Sequence, residues 1–394
     1  MPSQQNIRKN GFTLIEVLVG VAVFVTVSLA SYRAFTSLMD LVRITQYKIA
    51  AINLINEQFE LVRNLPYADV GVAGSVPTGK LTHEQIITRG DTAFTVLTTV
   101  RNIDLAFDGT IGGTPNDLSP ADNKLVEVTV SCETCKSFRE LTLTTNVAPK
   151  NLETASTNGA LFIKVFDANG VPVQGADVHV VNSSVVPTIT IDDTTNNDGL
   201  LQLVDVPPGV GAYNITVTKD GYSTDRTYQS GASGNPNPTK PYATVVLQQV
   251  TQVSFTIDAV SNLNFESVTD TCSPVGGFDF NLAGDKLIGV NVPKYSDGKL
   301  TNGSGLLSLA NMEWDSYTVT GADGAYDLVG INPLNPVFLN PNTTQDVQLI
   351  VAAKDPRTLL VTVKDSITEL PLTDATVLIT KTGFSSSKST DRGY

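Results

Sequence analysis

An apolar run of 19 residues, Phe12 to Ala30 (FTLIEVLVGVAVFVTVSLA), lies close to the N-terminus and carries a single carboxylate, Glu16. As a helix rising ~1.5 Å per residue it is long enough to cross a bilayer. The ten residues before Gly11 are polar and include Arg8 and Lys9. Two plain readings compete. One is a secretory signal peptide with a small-residue site near Ser28–Ala30. The other is a signal anchor held cytoplasm-side in by Arg8 and Lys9. Glu16 strains both, because a carboxylate at membrane depth costs roughly 2.5–3.5 kcal/mol. It needs a partner, or it must be neutral.

The helical pattern does not stop at Ala30. No proline occurs between Pro2 and Pro66. Phe35, Leu38, Val42, Ile49, Ile52, Phe59 and Val62 recur at helical spacing, with Gln46, Lys48, Asn53, Glu57 and Arg63 among the polar positions between them. Asn64-Leu65-Pro66-Tyr67 ends the pattern. A helix over 12–64 would be about 80 Å long. Its apolar stripe is expected to pack on the first β domain.

The stretch Gly11-Phe12-Thr13-Leu14-Ile15-Glu16-Val17-Leu18-Val19-Gly20 resembles the N-terminal signature of type IV prepilins and type II secretion pseudopilins. The resemblance implies cleavage by a prepilin peptidase between Gly11 and Phe12, and N-methylation of Phe12. Glu16 then becomes the fifth residue of the mature chain. In a filament core its carboxylate would pair with the Phe12 amine of a neighbouring subunit, which makes two costly charges tolerable together and fixes axial register. Many major pilins carry a proline midway along the apolar half, and they are usually near half this length or less. This chain has Gly20 and no proline there, which points to a minor pilin or pseudopilin.

The remaining composition narrows the function classes. Hydrophobic residues are 41% and charged residues 16%, too apolar for a disordered chain and too poor in charge for a long soluble coiled coil. Lys+Arg 26 against Asp+Glu 39 gives a net charge of -13, and no basic patch offsets it, which disfavours nucleic acid as a partner. Removing the leader would take Arg8 and Lys9 with it. Two histidines, His83 and His179, and three cysteines nearly exclude metal sites built on His/Cys clusters. No GxGxxG, P-loop, HExxH or GxSxG occurs. Asp192, Asp193 and Asp198 fall in one predicted loop but fail the EF-hand spacing. The reading is of a non-enzyme with no catalytic residues, cofactor or metal.

Past Pro66 the period becomes that of strands. Thr92–Val100, Leu125–Val130 and Glu140–Thr145 alternate, and the last two flank a turn holding Cys132-Glu133-Thr134-Cys135. A CxxC pair serves zinc, redox chemistry or a disulfide. Zinc lacks a second pair, since only Cys272 remains, and redox work favours a helix N-terminus. A disulfide clasping the hairpin is the favoured reading, with two inert thiols as the alternative.

Repeats follow. Phe162–Asp167 with Pro172-Val173-Gln174-Gly175-Ala176-Asp177-Val178 matches Leu359–Asp365 with Pro371-Leu372-Thr373-Asp374-Ala375-Thr376-Val377. Thr195–Leu203 matches Thr301–Leu309. Short strands with Gly/Pro/Asn turns in tandem indicate β-sandwiches. On Pro172–Val178, Asp198-Gly199-Leu200, Val206–Gly209 and Tyr213–Tyr222, residues 159–249 are similar to the carboxypeptidase regulatory-like family, a Greek-key sandwich used as spacer or binding module. Some surface relatives form a Lys–Asn crosslink. Lys164 lies on the matching strand, but the expected last strand, Ala243–Leu247, offers no asparagine, so none is expected. Trp314 is expected in the core of the next module.

The fold class expected is α+β: a long N-terminal helix, transmembrane and then amphipathic, packed on a small antiparallel sheet, then tandem all-β Ig-like sandwiches. The domains expected are a leader at 1–11, the pilin helix at 12–66 with 12–30 in the membrane, and a β head at 67–150. Sandwiches follow at 151–250 and 251–354, and a third, incomplete one begins at 355–394. Roughly forty residues cannot close a sandwich of about seven strands, so its remaining strands are expected outside this sequence. The function expected is a pilin-like structural subunit displaying its sandwiches at the cell surface. The partners are the prepilin peptidase, other pilin subunits, the cytoplasmic membrane and a surface ligand. The alternative is an anchored surface adhesin that never polymerises.

Overall fold

The computed structural model describes residues 13–149, 155–354, 359, 361–368 and 370–390. Two compact units form. One holds 13–103 with 121–149, the other 104–120 with 155–390.

The first unit begins with helix α1, Leu14–Asn64, capped by Thr13 and closed by the extended Leu65 before Pro66. From Leu14 to Phe35 every residue is exposed. Four strands follow: β1 Glu84–Arg89, β2 Thr92–Ile103, β3 Asn123–Ser131 and β4 Leu141–Val147. They form an antiparallel sheet in the order β1-β2-β3-β4. Alternation decides its faces: Phe94 and Val96 on β2 and Val126, Val128 and Val130 on β3 are buried, with Val96 opposite Val130.

Against this face pack Ala51, Leu54, Ile55, Phe59 and Val62 of α1. The predicted stripe is therefore only partly the packed one. Phe59 and Val62 are buried, but Phe35, Leu38, Val42, Ile49 and Ile52 remain 41–61% exposed. At ~100° per residue Ile49 lies about 180° from the buried Gln58. The helix has two apolar faces, and the sheet takes the one made of Ala51, Leu54, Ile55, Phe59 and Val62, with Gln58 buried among them.

The second unit contains two sandwiches and a hairpin. The first is built from β5 Gly159–Phe166, β6 Asp177–Asn182, β7 Ile189–Thr194, β8 Leu200–Val206, β9 Gly209–Thr218, β10 Asp225–Arg226, β11 Ala243–Val245 and β12 Val250–Thr256. One sheet runs β12-β5-β8, the other β10-β9-β6-β7 with β11 on β9. Ala243–Leu247 is thus not the closing strand: β12 closes the module, pairing parallel to β5, and Lys164 stands opposite Ser254. Ile111, in the segment between β2 and β3, packs on Ala160 and Val204.

The second sandwich comprises β13 Ser261–Val268, β14 Asp279–Gly284, β15 Leu287–Gly289, β16 Val292–Pro293, β17 Ser296–Leu300, β18 Leu306–Met312, β19 Asp315–Gly321, β20 Tyr326–Asn332, β21 Val337–Leu339 and β22 Thr344–Ala353. Its sheets run β18-β13-β22-β20 and β17-β14-β19-β21, and β15 pairs with β16. The hairpin is β23 Thr376–Lys381 with β24 Phe384–Ser389.

The repeats are structural as well as sequential. A buried threonine hydroxyl accepts a backbone N–H in each module: Ala176 N to Thr195 Oγ1 at 2.9 Å, Phe278 N to Thr301 Oγ1 at 2.9 Å, and Ala375 N to Thr390 Oγ1 at 3.0 Å. The bridges Phe166↔Pro172, Val268↔Pro274 and Lys364↔Pro371 recur with it. After the threonine, Asn196 Oδ1 accepts from Asp198 N and Leu200 N, and Asn302 Oδ1 from Ser304 N and Leu306 N. These turns need Gly199 and Gly305 at φ +65° and +79°. The sequence pattern of the second module, Pro274-Val275-Gly276-Gly277-Phe278, had escaped the repeat because Phe278 replaces the alanine.

Trp314 is not in the core. Tyr317 is, fully buried, donating from its hydroxyl to Glu313 O at 2.8 Å. Trp314 is half-buried under the Lys286 ammonium, 2.9 Å from its ring centroid. The aspartates read as one loop separate: Asp192 faces His179 across β6–β7, Asp193 is buried on the same strand, and Asp198 lies in the Asn196 turn.

Candidate functional site

The residues with a sequence-level role concentrate at the start of α1. Gly11 and Phe12 lie outside the described residues, and Thr13 is the first one described. The opening N–H groups of a helix have no partner within it. Thr13 and Glu16 supply one. Thr13 N and Thr13 Oγ1 each donate to Glu16 Oε2 at 2.9 Å, and Glu16 N donates back to Thr13 Oγ1 at 3.3 Å. This is a capping box. Glu16 also sits at the positive end of the helix dipole. The capping role was missed in the sequence, although Thr13-Leu14-Ile15-Glu16 fits the S/T-x-x-E pattern that signals it.

Behind Glu16 the residues through Ala30 are apolar but for Thr26 and Ser28, and Thr26 returns its hydroxyl to Ala22 O and Val23 O. The helix is long and apolar enough to cross a membrane: 18 consecutive residues have a mean hydropathy of 2.3, and none of them is buried. The arrangement offers one carboxylate at the head of an unpartnered apolar rod. It can accept a cation, and it can pack laterally.

Cys132 and Cys135 are joined by a disulfide, Cα–Cα 5.4 Å, in the β3–β4 turn. Both sit in the helix–sheet core rather than at a solvent-facing tip. Phe138, just beyond, meets Phe94 and Tyr47 edge-on. Cys272 is free and exposed. In the same unit Lys124 is buried, donating from Nζ to Tyr67 O at 2.9 Å and Val70 O at 2.6 Å, with the Tyr67 ring 4.6 Å away.

Comparison with protein families gives one match, the prokaryotic N-terminal methylation motif, over residues 6–32. The chain carries a prepilin-type methylation motif. That motif covers Gly11, Phe12 and Glu16 and ends at Tyr32. No curated protein matches the chain. Among solved structures, the Bacillus anthracis TIE protein is 14% identical over 80% of this chain and 65% of its own, with a TM-score of 0.22. This chain therefore spans less than two thirds of that protein. The minor pilin GBS52 of Streptococcus agalactiae is 12% identical over 51% of this chain and 98% of its own, TM-score 0.26. The major pilin subunit BcpA of Bacillus cereus is 7% identical over 50% and 100%, TM-score 0.17. The prepilin-type motif and the apolar helix behind it support a pilin-like surface subunit.

Proposed function

We propose that the chain is a minor pilin or pseudopilin-like subunit of a type IV pilus or type II secretion-like filament. Its role is structural. Prepilin peptidase cuts between Gly11 and Phe12, and Phe12 is N-methylated. The helix holds the subunit in the cytoplasmic membrane before assembly and in the filament afterwards, with the sandwiches outside the cell. The new Phe12 amine of one subunit meets Glu16 of its neighbour, which exchanges its Thr13 donors for a full counter-charge in an apolar surround.

The observation that carries this reading is the exposure of α1. Its membrane-length segment is uncovered, and the uncovered apolar side continues through Phe35, Leu38, Val42 and Ile49, beyond what a bilayer would cover. A simple anchor has no use for that extension; helices packed side by side do.

Two measurements test it. Expression with and without prepilin peptidase, followed by mass and terminal sequence of the membrane-bound product, should give a chain starting at methylated Phe12. A start near Ser31, or an uncut chain despite active peptidase, overturns the reading. Glu16→Ala should still be cut but should drop out of sheared filaments. Indifference to that change would leave an anchored adhesin that does not polymerise.

A further inference from the structure

In each complete sandwich the strand by which the chain enters lies beside the strand by which it leaves, and the two run parallel. In the first, β12 pairs with β5 from Val250↔Ala160 to Thr256↔Phe166. In the second, β22 pairs with β13 from Asn262↔Thr344 to Val268↔Ile350. We infer that these sandwiches resist mechanical tension, which is carried along the chain as shear across two parallel ladders.

The reason is geometric. A pull on the chain draws β5 back by its first residue and β12 forward by its last. Because the strands are parallel neighbours, the force runs along their common axis and loads all seven pairs together. The same holds for β13 and β22. The head sheet is the contrast. Its order β1-β2-β3-β4 puts the first and last strands on opposite edges with both free ends at one end of the sheet, so once α1 is drawn off its face tension peels it one pair at a time.

Packing resists the slide as well. Leu161, Ile163 and Val165 of β5, and Leu263 and Phe265 of β13, are buried. A shift of one residue would turn each onto the outer face, so no neighbouring register offers a resting place. In the second sandwich the outward-facing pairs of the ladder are joined too. Asn262 Nδ2 donates to Thr344 Oγ1 at 3.4 Å, Asn264 Nδ2 to Asp346 Oδ1 at 2.9 Å, and Gln348 Nε2 to Glu266 Oε2 at 3.4 Å. Every rung spans the two strands that tension would shear. The corresponding pairs of the first sandwich, Phe162 with Gln252 and Lys164 with Ser254, have no such bonds among the described residues. The second sandwich is therefore the stronger. Between the two, Ile257 N donates to Phe166 O, Ser223 N to Asp258 O and Val260 N to Gly221 O, so the load path has no slack joint.

The inference rests on strand topology, and the ranking of the two sandwiches on their side-chain rungs. It holds equally for a filament subunit and for an anchored protein, and its test does not depend on assembly. The full chain, kept in detergent and held at its two ends, is stretched in a single-molecule force experiment. The head sheet should release about 200 Å of chain, and each sandwich on the order of 300 Å. The head should yield first, and the two larger releases should follow at distinctly higher and unequal forces. Asn264→Ala combined with Asp346→Ala should lower the higher of the two and leave the other unchanged. Sandwich releases at or below the force of the head overturn the inference, and so does a double variant that lowers both releases alike. The unmodified chain decides the main point by itself, so a misfolded variant leaves the test standing; Thr344→Ala, which removes only the outermost rung, is the milder second variant.

Discussion

Thr301→Val should loosen the second sandwich by about 2–4 kcal/mol. The Thr301 hydroxyl is buried, accepts Phe278 N–H at 2.9 Å and shares a hydrogen bond with Ser267 Oγ at 2.9 Å. Valine keeps the shape and removes the oxygen. The Phe278 N–H is then stranded in the core, at about 1–3 kcal/mol, and the bond to Ser267 is lost, at about 1 kcal/mol. Thr301→Ser is the control. It keeps the oxygen and loses one methyl, at about 1 kcal/mol. Trp314 is the only tryptophan and lies in this sandwich, so its fluorescence reports on the module within the full chain. With a urea slope of about 1–3 kcal/mol/M, the valine variant should lower the midpoint by roughly 1–2 M and the serine variant by clearly less. A valine variant as stable as the serine one would refute the clamp, because packing rather than the hydroxyl would then be what the position needs.

Leu54→Ala, at a fully buried position of α1, should cost the head about 2–5 kcal/mol in a thermal melt, whereas Leu38→Ala should leave that melt within ~0.5 kcal/mol and reduce recovery in sheared filaments. Reducing Cys132–Cys135, or replacing both by serine, should lower head stability by about 2 kcal/mol or less, since the loop closed is only a few residues long; melts with and without reductant measure it. Burial first, and then the Asp220 charge, raise the Asp177 carboxyl above its ordinary value against the pull of Lys219. A raised folded pKa means stability present below the unfolded pKa and lost as pH rises through the folded one. Asp177→Asn should remove that loss, giving a small gain at pH 7, limited by solvent screening of this group, and none at pH 3, read from urea midpoints at the two pH values.

Much of the chain was legible locally. Alternation over Thr92–Val100 and Leu125–Val130 is a property of residues two apart, and the strands are there. The paired turns at Asn196 and Asn302 are written in five residues each, and both form with the expected asparagine and glycine. The helix itself was legible for the same reason, although the capping role of Glu16 was not read from it.

What tertiary structure decided is whatever depends on a distant partner. Two apolar faces of α1 are equally visible in the sequence, and only the position of the sheet selects Leu54 and Ile55 over Ile49 and Ile52. Parallel pairing of β5 with β12 and of β13 with β22 joins segments about 80–90 residues apart. No local period encodes such a pairing, because its stabilisation appears only when the sandwich closes and outweighs the entropy of closing the loop. The threonine clamp is of the same kind: Thr195 and Thr301 are ordinary turn residues until the chain returns Ala176 and Phe278 beside them. Sequence thus determined the long helix, most of the strands and turns, and where the methylation motif lies. The fold alone determined which faces meet, and with them where the chain is built to bear load.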